Sequence, residues 1–204
     1  MARDQGDRDG WDARYGTAEL IWTAEPNVFV AREAADLPPG RALDLATGEG
    51  RNAVWLAGRG WRVTAVDFSV EGLRKARRLA AEHGADIDWI LADVRDHRPR
   101  PRGYDLVLVA YLHLRAEDLR DVLYRAAEAV APGGTLLVVG HDLTNLNEGV
   151  GGPRDPSVLY TATGVAAALN GLEVVRADRV TRVVVRGEIE HTAFDTLVRA
   201  VRPG

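Results

Sequence analysis

The sequence predicts a doubly wound α/β domain: a seven-stranded, mostly parallel sheet with helices on both faces and an antiparallel C-terminal strand. Three observations predict it. From residue 41 onward, short apolar β-prone runs alternate with helix-period segments. In Arg41-Ala-Leu-Asp-Leu-Ala-Thr-Gly-Glu-Gly-Arg-Asn-Ala-Val-Trp-Leu56 a hydrophobic strand ends in a glycine loop that opens straight into a helix, the ligand-binding crossover of such sheets. Two long β-prone segments, 173–185 and 191–201, close the chain with only a short joint at Arg186-Gly187 between them, which makes an antiparallel hairpin.

The elements follow in order. Residues 41–46 are the first strand, and Gly48 and Gly50 can take positive φ and let the loop approach a ligand closely. Asn52 is an N-cap residue type for a helix over 52–59, which Gly60 stops. Residues 61–66 are the second strand; Ser69 caps a helix to His83, with Gly84 at its C′ position. Residues 87–91 are the third strand, and the two prolines of 97–102 make that stretch a loop. Residues 104–109 are the fourth strand. Over 116–130, Leu119, Val122, Leu123, Ala126, Ala127 and Val130 repeat at helical spacing. Pro132-Gly133-Gly134 reads as a turn, 135–140 as the fifth strand, 141–160 as a polar Gly-rich loop and 162–169 as a short helix ended by Asn170-Gly171.

Composition bounds the function. A chain of 204 residues, 46% hydrophobic, holds one domain with a real core, here an N-terminal segment over 1–35 and a core over 41–201. The formal net charge of −4 lacks the basic face of a dedicated nucleic-acid binder. Arginine supplies almost all the positive charge, and Lys75 is the sole lysine, which reads as coding bias. Without cysteine there is no disulfide, thiolate metal site or cysteine nucleophile, and no metal centre is expected. The first ten residues are polar and charged, and no apolar run approaches the ~20 residues of a membrane span. A cytoplasmic protein, monomeric or homodimeric and without membrane or nucleic-acid partners, is expected.

Taken literally, Gly48-x-Gly50-x-x-Ala53 with Asp67 about twenty residues on satisfies a dinucleotide fingerprint. The charges count against a pyrophosphate: Asp44 and Glu49 flank the loop, and like charges at about 4 Å cost roughly 4 kcal/mol at an effective dielectric of 20. S-adenosylmethionine (SAM) carries an ammonium and a sulfonium instead, which an acidic loop attracts. Asp67, ending the second strand, can accept from both ribose hydroxyls.

Asp44-Leu-Ala-Thr-Gly-Glu-Gly50 resembles motif I of the class I SAM-dependent methyltransferases, departing from it at Ala46 and Thr47. Alanine is mild at that position if its φ is negative. The resemblance implies a Rossmann-like methyltransferase fold with the last strand inserted between the fifth and sixth. It places Asp44, Ala46, Thr47, Gly48, Gly50, Arg51 and Asn52 around the cofactor. It puts Asp67, Phe68 and Ser69 at ribose and adenine, Asp93 at the adenine amine, and the Val94 N–H at a ring nitrogen. Tyr104-Asp-Leu-Val-Leu-Val-Ala-Tyr-Leu-His-Leu114 resembles motif IV, which brings Tyr111 beneath the transferring methyl; the absence of Asn-Pro-Pro-Tyr there favours a small-molecule acceptor with an O, N, S or oxyanion nucleophile. Trp11-Asp-Ala-Arg-Tyr15 and the Trp22 region are similar to the lid of the tellurite-resistance and thiopurine methyltransferase branch. That likeness implies Arg14 or Tyr15 at the methionine carboxylate and Trp22 over the sulfonium, in a lid expected to be mobile until cofactor binds. His113 and His141 follow strand ends and are candidate general bases. A non-catalytic SAM-binding regulator and an NAD-dependent oxidoreductase are the alternative readings.

Overall fold

The computed structural model describes residues 8–17 and 19–204. Residues 1–7 and Ala18 of the N-terminal segment lie outside the described residues. The elements run α1 (Arg8–Tyr15), α2 (Val28–Ala34), β1 (Arg41–Leu45), α3 (Arg51–Gly58), β2 (Arg62–Asp67), α4 (Val70–Glu82), β3 (Ile87–Leu91) and β4 (Tyr104–Ala110). They continue with α5 (Ala116–Ala129), β5 (Val130–His141), α6 (Asn145–Glu148), a 3-10 turn (Pro156–Val158), α7 (Ala162–Ala168), β6 (Glu173–Arg186) and β7 (Ile189–Val201).

The seven strands form one sheet in the order β3-β2-β1-β4-β5-β7-β6. β1 pairs in parallel with both β2 and β4, so the strand order reverses at β1. Open α/β sheets bind ligands at that reversal, beyond the strand C-termini. Only β7 runs antiparallel, inserted between β5 and β6 as the resemblance implied. The central strands are apolar on both sides because both faces are covered. Leu43, Val107 and Val109 pack against α5 and α7, whereas Ala42, Leu106 and Leu108 pack against α2, α3 and α4.

Some local expectations are corrected. Helix α3 starts at Arg51, and its cap is Gly50 at φ 80°, not Asn52. Asn52 is buried inside the helix, where its Oδ1 accepts the Asn27 N–H at 2.9 Å. Pro132-Gly133-Gly134 is not a turn between elements. It lies within β5, which begins at Val130, and the register against β4 shifts there. The 141–160 loop carries a helical turn, α6, and a 3-10 turn.

The N-terminal segment has anchors of its own on the core. Asp12 accepts from the Ser69 hydroxyl and from the Glu71 N–H, which ties α1 to the start of α4. Ser69 in turn caps α4 through the Gly72 N–H at 2.9 Å. Asn27 caps α2, accepting from Phe29 and Val30.

Ala46 has φ 61°, so the condition under which alanine would be mild there is not met. In that region the Cβ of an L-residue crowds its own backbone, at a cost of roughly 1–2 kcal/mol, partly offset by the entropy glycine loses on folding. Ala46→Gly is expected to stabilise the protein by about 0.5–1 kcal/mol in urea denaturation. A destabilised variant would mean that the methyl group packs usefully in the loop.

Candidate active site

The loop between β1 and α3 turns tightly through Ala46, Gly48 at φ 58° and Gly50 at φ 80°. A Cβ on Gly50 would stand 2.8 Å from Ala76 Cβ and 2.9 Å from Trp89, so that glycine serves helix and strand packing rather than ligand approach. A Cβ on Gly48 would stand 2.7 Å from the Tyr15 hydroxyl, so α1 lays Tyr15 directly over the loop. Burial, with Asp67 and Glu49 nearby, pushes the Tyr15 phenol well above its ordinary value, so it stays a neutral hydroxyl.

The two acids of the loop have different jobs. Glu49 is 2% exposed, and its Oε1 lies 3.0 Å from Nζ of the fully buried Lys75. It also accepts the N–H groups of Ile21 and Trp22 at 3.0 and 3.1 Å, while Lys75 donates to Thr17 and to the Glu19 carbonyl. Its charge is therefore spent inside the protein, and the repulsion expected from it at a ligand phosphate falls away. Lys75 is a structural centrepiece and not a coding accident. Asp44 differs. It is 1% exposed, and Thr47 Oγ1 donates to its Oδ2 at 2.7 Å. Its Oδ1 has no hydrogen-bond partner. Burial raises its pKa to about 7.

Asp67, at the end of β2, accepts the Gly48 N–H at 2.8 Å and the Ser69 N–H at 2.9 Å. It therefore shapes both loops, and burial pushes its carboxyl up against those two bonds. Each oxygen keeps a lone pair. Phe68 stands half-buried beside it. Arg51, at the first turn of α3, faces Tyr111, Asp44 and Glu49, and burial lowers its pKa. Its guanidinium lies 6.0 Å from the ring centre of Trp22.

Other candidates sit differently from the sequence reading. Arg14 is exposed, stacked over Trp11 at 4.4 Å, and is not brought to the loop. Trp22 is 42% exposed. Asp93 forms an Asx turn, accepting the Arg95 N–H at 2.9 Å, and pairs with the Arg95 guanidinium at 2.6 Å, which holds its carboxyl low. Val94 is buried in the core.

Tyr111 leaves β4 at φ 56°, a strained value for a large side chain, of the sort that collects at functional sites. Its hydroxyl donates to Asp195 Oδ2 at 2.8 Å and receives Asn27 and Arg182, both at 3.2 Å. His113 and His141 come together, their rings stacked 5.4 Å apart, and Tyr160 continues the stack 5.6 Å beyond His113. Asp195, Arg182, Tyr160 and Asn27 were not singled out from the sequence. For Asp195 there was a signal: it alternates with Ala193 and Leu197 along β7, a carboxylate in an inward-facing row. Among the described residues, eight buried side-chain polar atoms lack a hydrogen-bond partner. Five of them (Asp44 Oδ1, His113 Nε2, His141 Nδ1, Tyr160 Oη and Asp195 Oδ1) lie along this edge of the sheet. Two of the five, His141 Nδ1 and Asp195 Oδ1, face each other at 3.3 Å; buried polar atoms are normally satisfied, so the other three mark a place built for something else to bind.

The strand order, with the last strand inserted antiparallel beside the fifth, is that of the Rossmann-like methyltransferase fold. Residues 42–134 match the family model for a methyltransferase domain. The ubiquinone biosynthesis O-methyltransferase of Erwinia tasmaniensis is 34% identical over 107 residues, 52% of this chain and 44% of that enzyme. The chain thus spans less than half the length of that relative. The N-methyltransferase NodS from Bradyrhizobium japonicum, solved with S-adenosyl-L-homocysteine (SAH), superposes with TM-score 0.74 over 97% of this chain and 98% of its own, at 18% identity. TehB from Haemophilus influenzae superposes with TM-score 0.72 over 96% of this chain and 66% of its own, at 17% identity. The resemblance read from motif I is borne out, and these two structures share the fold.

Proposed function

We propose that the protein transfers a methyl group from SAM to a small-molecule nucleophile. The unpartnered Asp44 Oδ1, buried at the strand end beside the glycine loop, carries this reading. An ionised carboxylate in that place needs a cation, which the methionine ammonium supplies and a pyrophosphate does not. The other residues fit the same molecule. Asp67 has lone pairs for the ribose hydroxyls, Phe68 offers an apolar ring face, and the Tyr15 hydroxyl and Arg51 suit the methionine carboxylate. Bound SAM supplies the activated methyl. The chain's task is then to hold the acceptor in line and keep water out, with Tyr15 and the 142–160 segment as walls. Positioning of this kind contributes up to ~7–11 kcal/mol. No helix among the described residues is long and apolar enough to cross a membrane. A cytoplasmic enzyme acting on a small molecule, not on nucleic acid, completes the proposal.

Calorimetry with SAH and NADH tests it. SAH is expected to bind in the micromolar range and NADH not comparably. The pH dependence has a definite sign. A folded pKa of about 7 lies above the ordinary carboxylate value, so Asp44 stabilises the empty fold at low pH, and that contribution is lost as pH rises through 7. A cationic ligand needs the ionised form, so SAH affinity should fall about tenfold per unit below pH 7 and level off above it. Tight NADH binding without SAH binding would overturn the proposal. A flat pH profile would remove Asp44 from the ammonium site.

A further inference from the structure

We propose that Asp195 and His141 form an orienting carboxylate and general base, and that His113 completes a pocket for an acceptor whose nucleophile is a neutral hydroxyl. The proposal rests on the methyl-transfer reading and narrows its acceptor.

Hydrogen-bond chemistry sets the tautomers. His113 Nδ1 lies 3.1 Å from the Val158 carbonyl, which can only accept, so Nδ1 carries the hydrogen and Nε2 presents a lone pair. That Nε2 is buried and without a partner. His141 Nδ1 lies 3.3 Å from Asp195 Oδ1, and neither atom has another hydrogen-bond partner. A carboxylate also only accepts, so a small ring rotation completes the bond, and His141 too presents Nε2 as a lone pair. Asp195 is fully buried, and Arg182 Nε and the Tyr111 hydroxyl hold its Oδ2 at 2.7 and 2.8 Å. Burial pushes its carboxyl up, but His141, Arg182 and Tyr111 outweigh burial and keep it ionised. The groups facing the imidazole pair are therefore Asp195 from β7, Arg182 from β6, Tyr111 at the end of β4, and Tyr160. Burial and the neighbouring His141 lower the His113 pKa to about 4, so His113 stays neutral and accepts a hydrogen bond without taking the proton. Asp195 can stabilise an imidazolium on His141, as orienting carboxylates do.

This lining selects the acceptor. Two imidazole lone pairs repel a thiolate or oxyanion. A primary ammonium has no lone pair for attack until it loses a proton, so it cannot attack as it is held. A neutral hydroxyl donates to one lone pair and leaves its own for attack, and the Tyr160 hydroxyl remains as a further donor. In the step that follows, the acceptor oxygen forms the bond to the methyl carbon and the sulfur keeps the electron pair of the bond that breaks. The hydroxyl proton passes to His141 Nε2 and then to water.

Nitrogen-15 NMR of the full chain, recorded without SAM, reads the tautomers directly. Nδ1–H with a bare Nε2 is expected at both His113 and His141, with the His141 pattern lost in Asp195→Asn while SAH still binds within threefold of wild type. Nε2–H at His141 in the wild type would overturn the proposal. With SAM and a ring-matched set of hydroxyl, thiol, amine and oxyanion acceptors, only the hydroxyls should be methylated. Asp195→Asn should lower kcat roughly 10²- to 10⁴-fold with KM little changed. Because Asp195 also holds Arg182, melting of that variant is recorded, and His141→Gln, which leaves Asp195 in place, should show the same loss. Methylation confined to thiols or oxyanions, or unaltered kcat in His141→Gln, would also overturn it. Failure of the wild type to bind SAH would instead strike the methyl-transfer reading beneath it.

Discussion

Lys75→Met should destabilise the protein by about 3–5 kcal/mol, the usual cost of leaving one partner of a buried ion pair uncompensated. Lys75 is fully buried and Glu49 is 2% exposed, so water cannot rescue the carboxylate left behind without opening the structure. For a chain of this size the loss corresponds to roughly 6–20 °C in melting temperature. The damage should reach the ligand as well. Lys75 holds Thr17 and the Glu19 carbonyl, and Glu49 holds the Ile21 and Trp22 N–H groups, so this one pair fastens the N-terminal segment to the glycine loop. Thermal melts with and without SAH should therefore show a lower melting temperature and a smaller ligand-induced rise. The double variant Lys75→Met/Glu49→Gln should recover part of the stability, because it removes the stranded charge. A single variant that melts within about 2 °C of wild type would mean that the pair is solvated in solution.

Asp67→Ala should weaken SAH binding by roughly 2–4 kcal/mol, on the order of 30- to 1000-fold. A strand-end acid read from sequence alone suggests that the unliganded melting temperature would barely change. The structure reverses that expectation. The Asp67 carboxylate accepts the Gly48 and Ser69 N–H groups, and alanine strands both donors in a buried place. At about 1–3 kcal/mol for each unsatisfied buried group, the empty protein should lose roughly 2–6 kcal/mol. Asp67→Asn, which keeps one acceptor oxygen, should fall between wild type and alanine in both measurements. Normal SAH affinity in Asp67→Ala together with a large loss of stability would leave Asp67 as the support of the two loops and remove it from the ribose.

Much of the fold was legible along the chain. The sequence of strands and helices, the Ser69 cap and the C-terminal hairpin follow from period, capping chemistry and glycine placement, all properties of neighbouring residues. Misreadings came where one residue type has two uses. Asn52 has the chemistry of a cap, but the left-handed Gly50 already starts the helix, which frees Asn52 to hold Asn27. Pro132-Gly133-Gly134 has turn composition, but Val130 and Thr135 on either side of it pair with β4, and Gly133 and Gly134 bond to the backbone of Arg202, so it is carried within a strand.

By itself, then, the sequence determined the doubly wound sheet, its C-terminal hairpin, and an acid-flanked glycine loop suited to SAM, because local pattern dictates local structure. Which charges face a ligand was decided only by the tertiary structure. Glu49 and Asp44 read alike in the motif, yet Lys75, 26 residues away, neutralises the first and leaves the second with an unpartnered oxygen. The pairing of His141 with Asp195 likewise joins the end of β5 to the middle of β7, a meeting made by inserting the last strand beside the fifth. No spacing along the chain encodes such a contact; it exists only once the hydrophobic faces have been buried and the strands have taken their order.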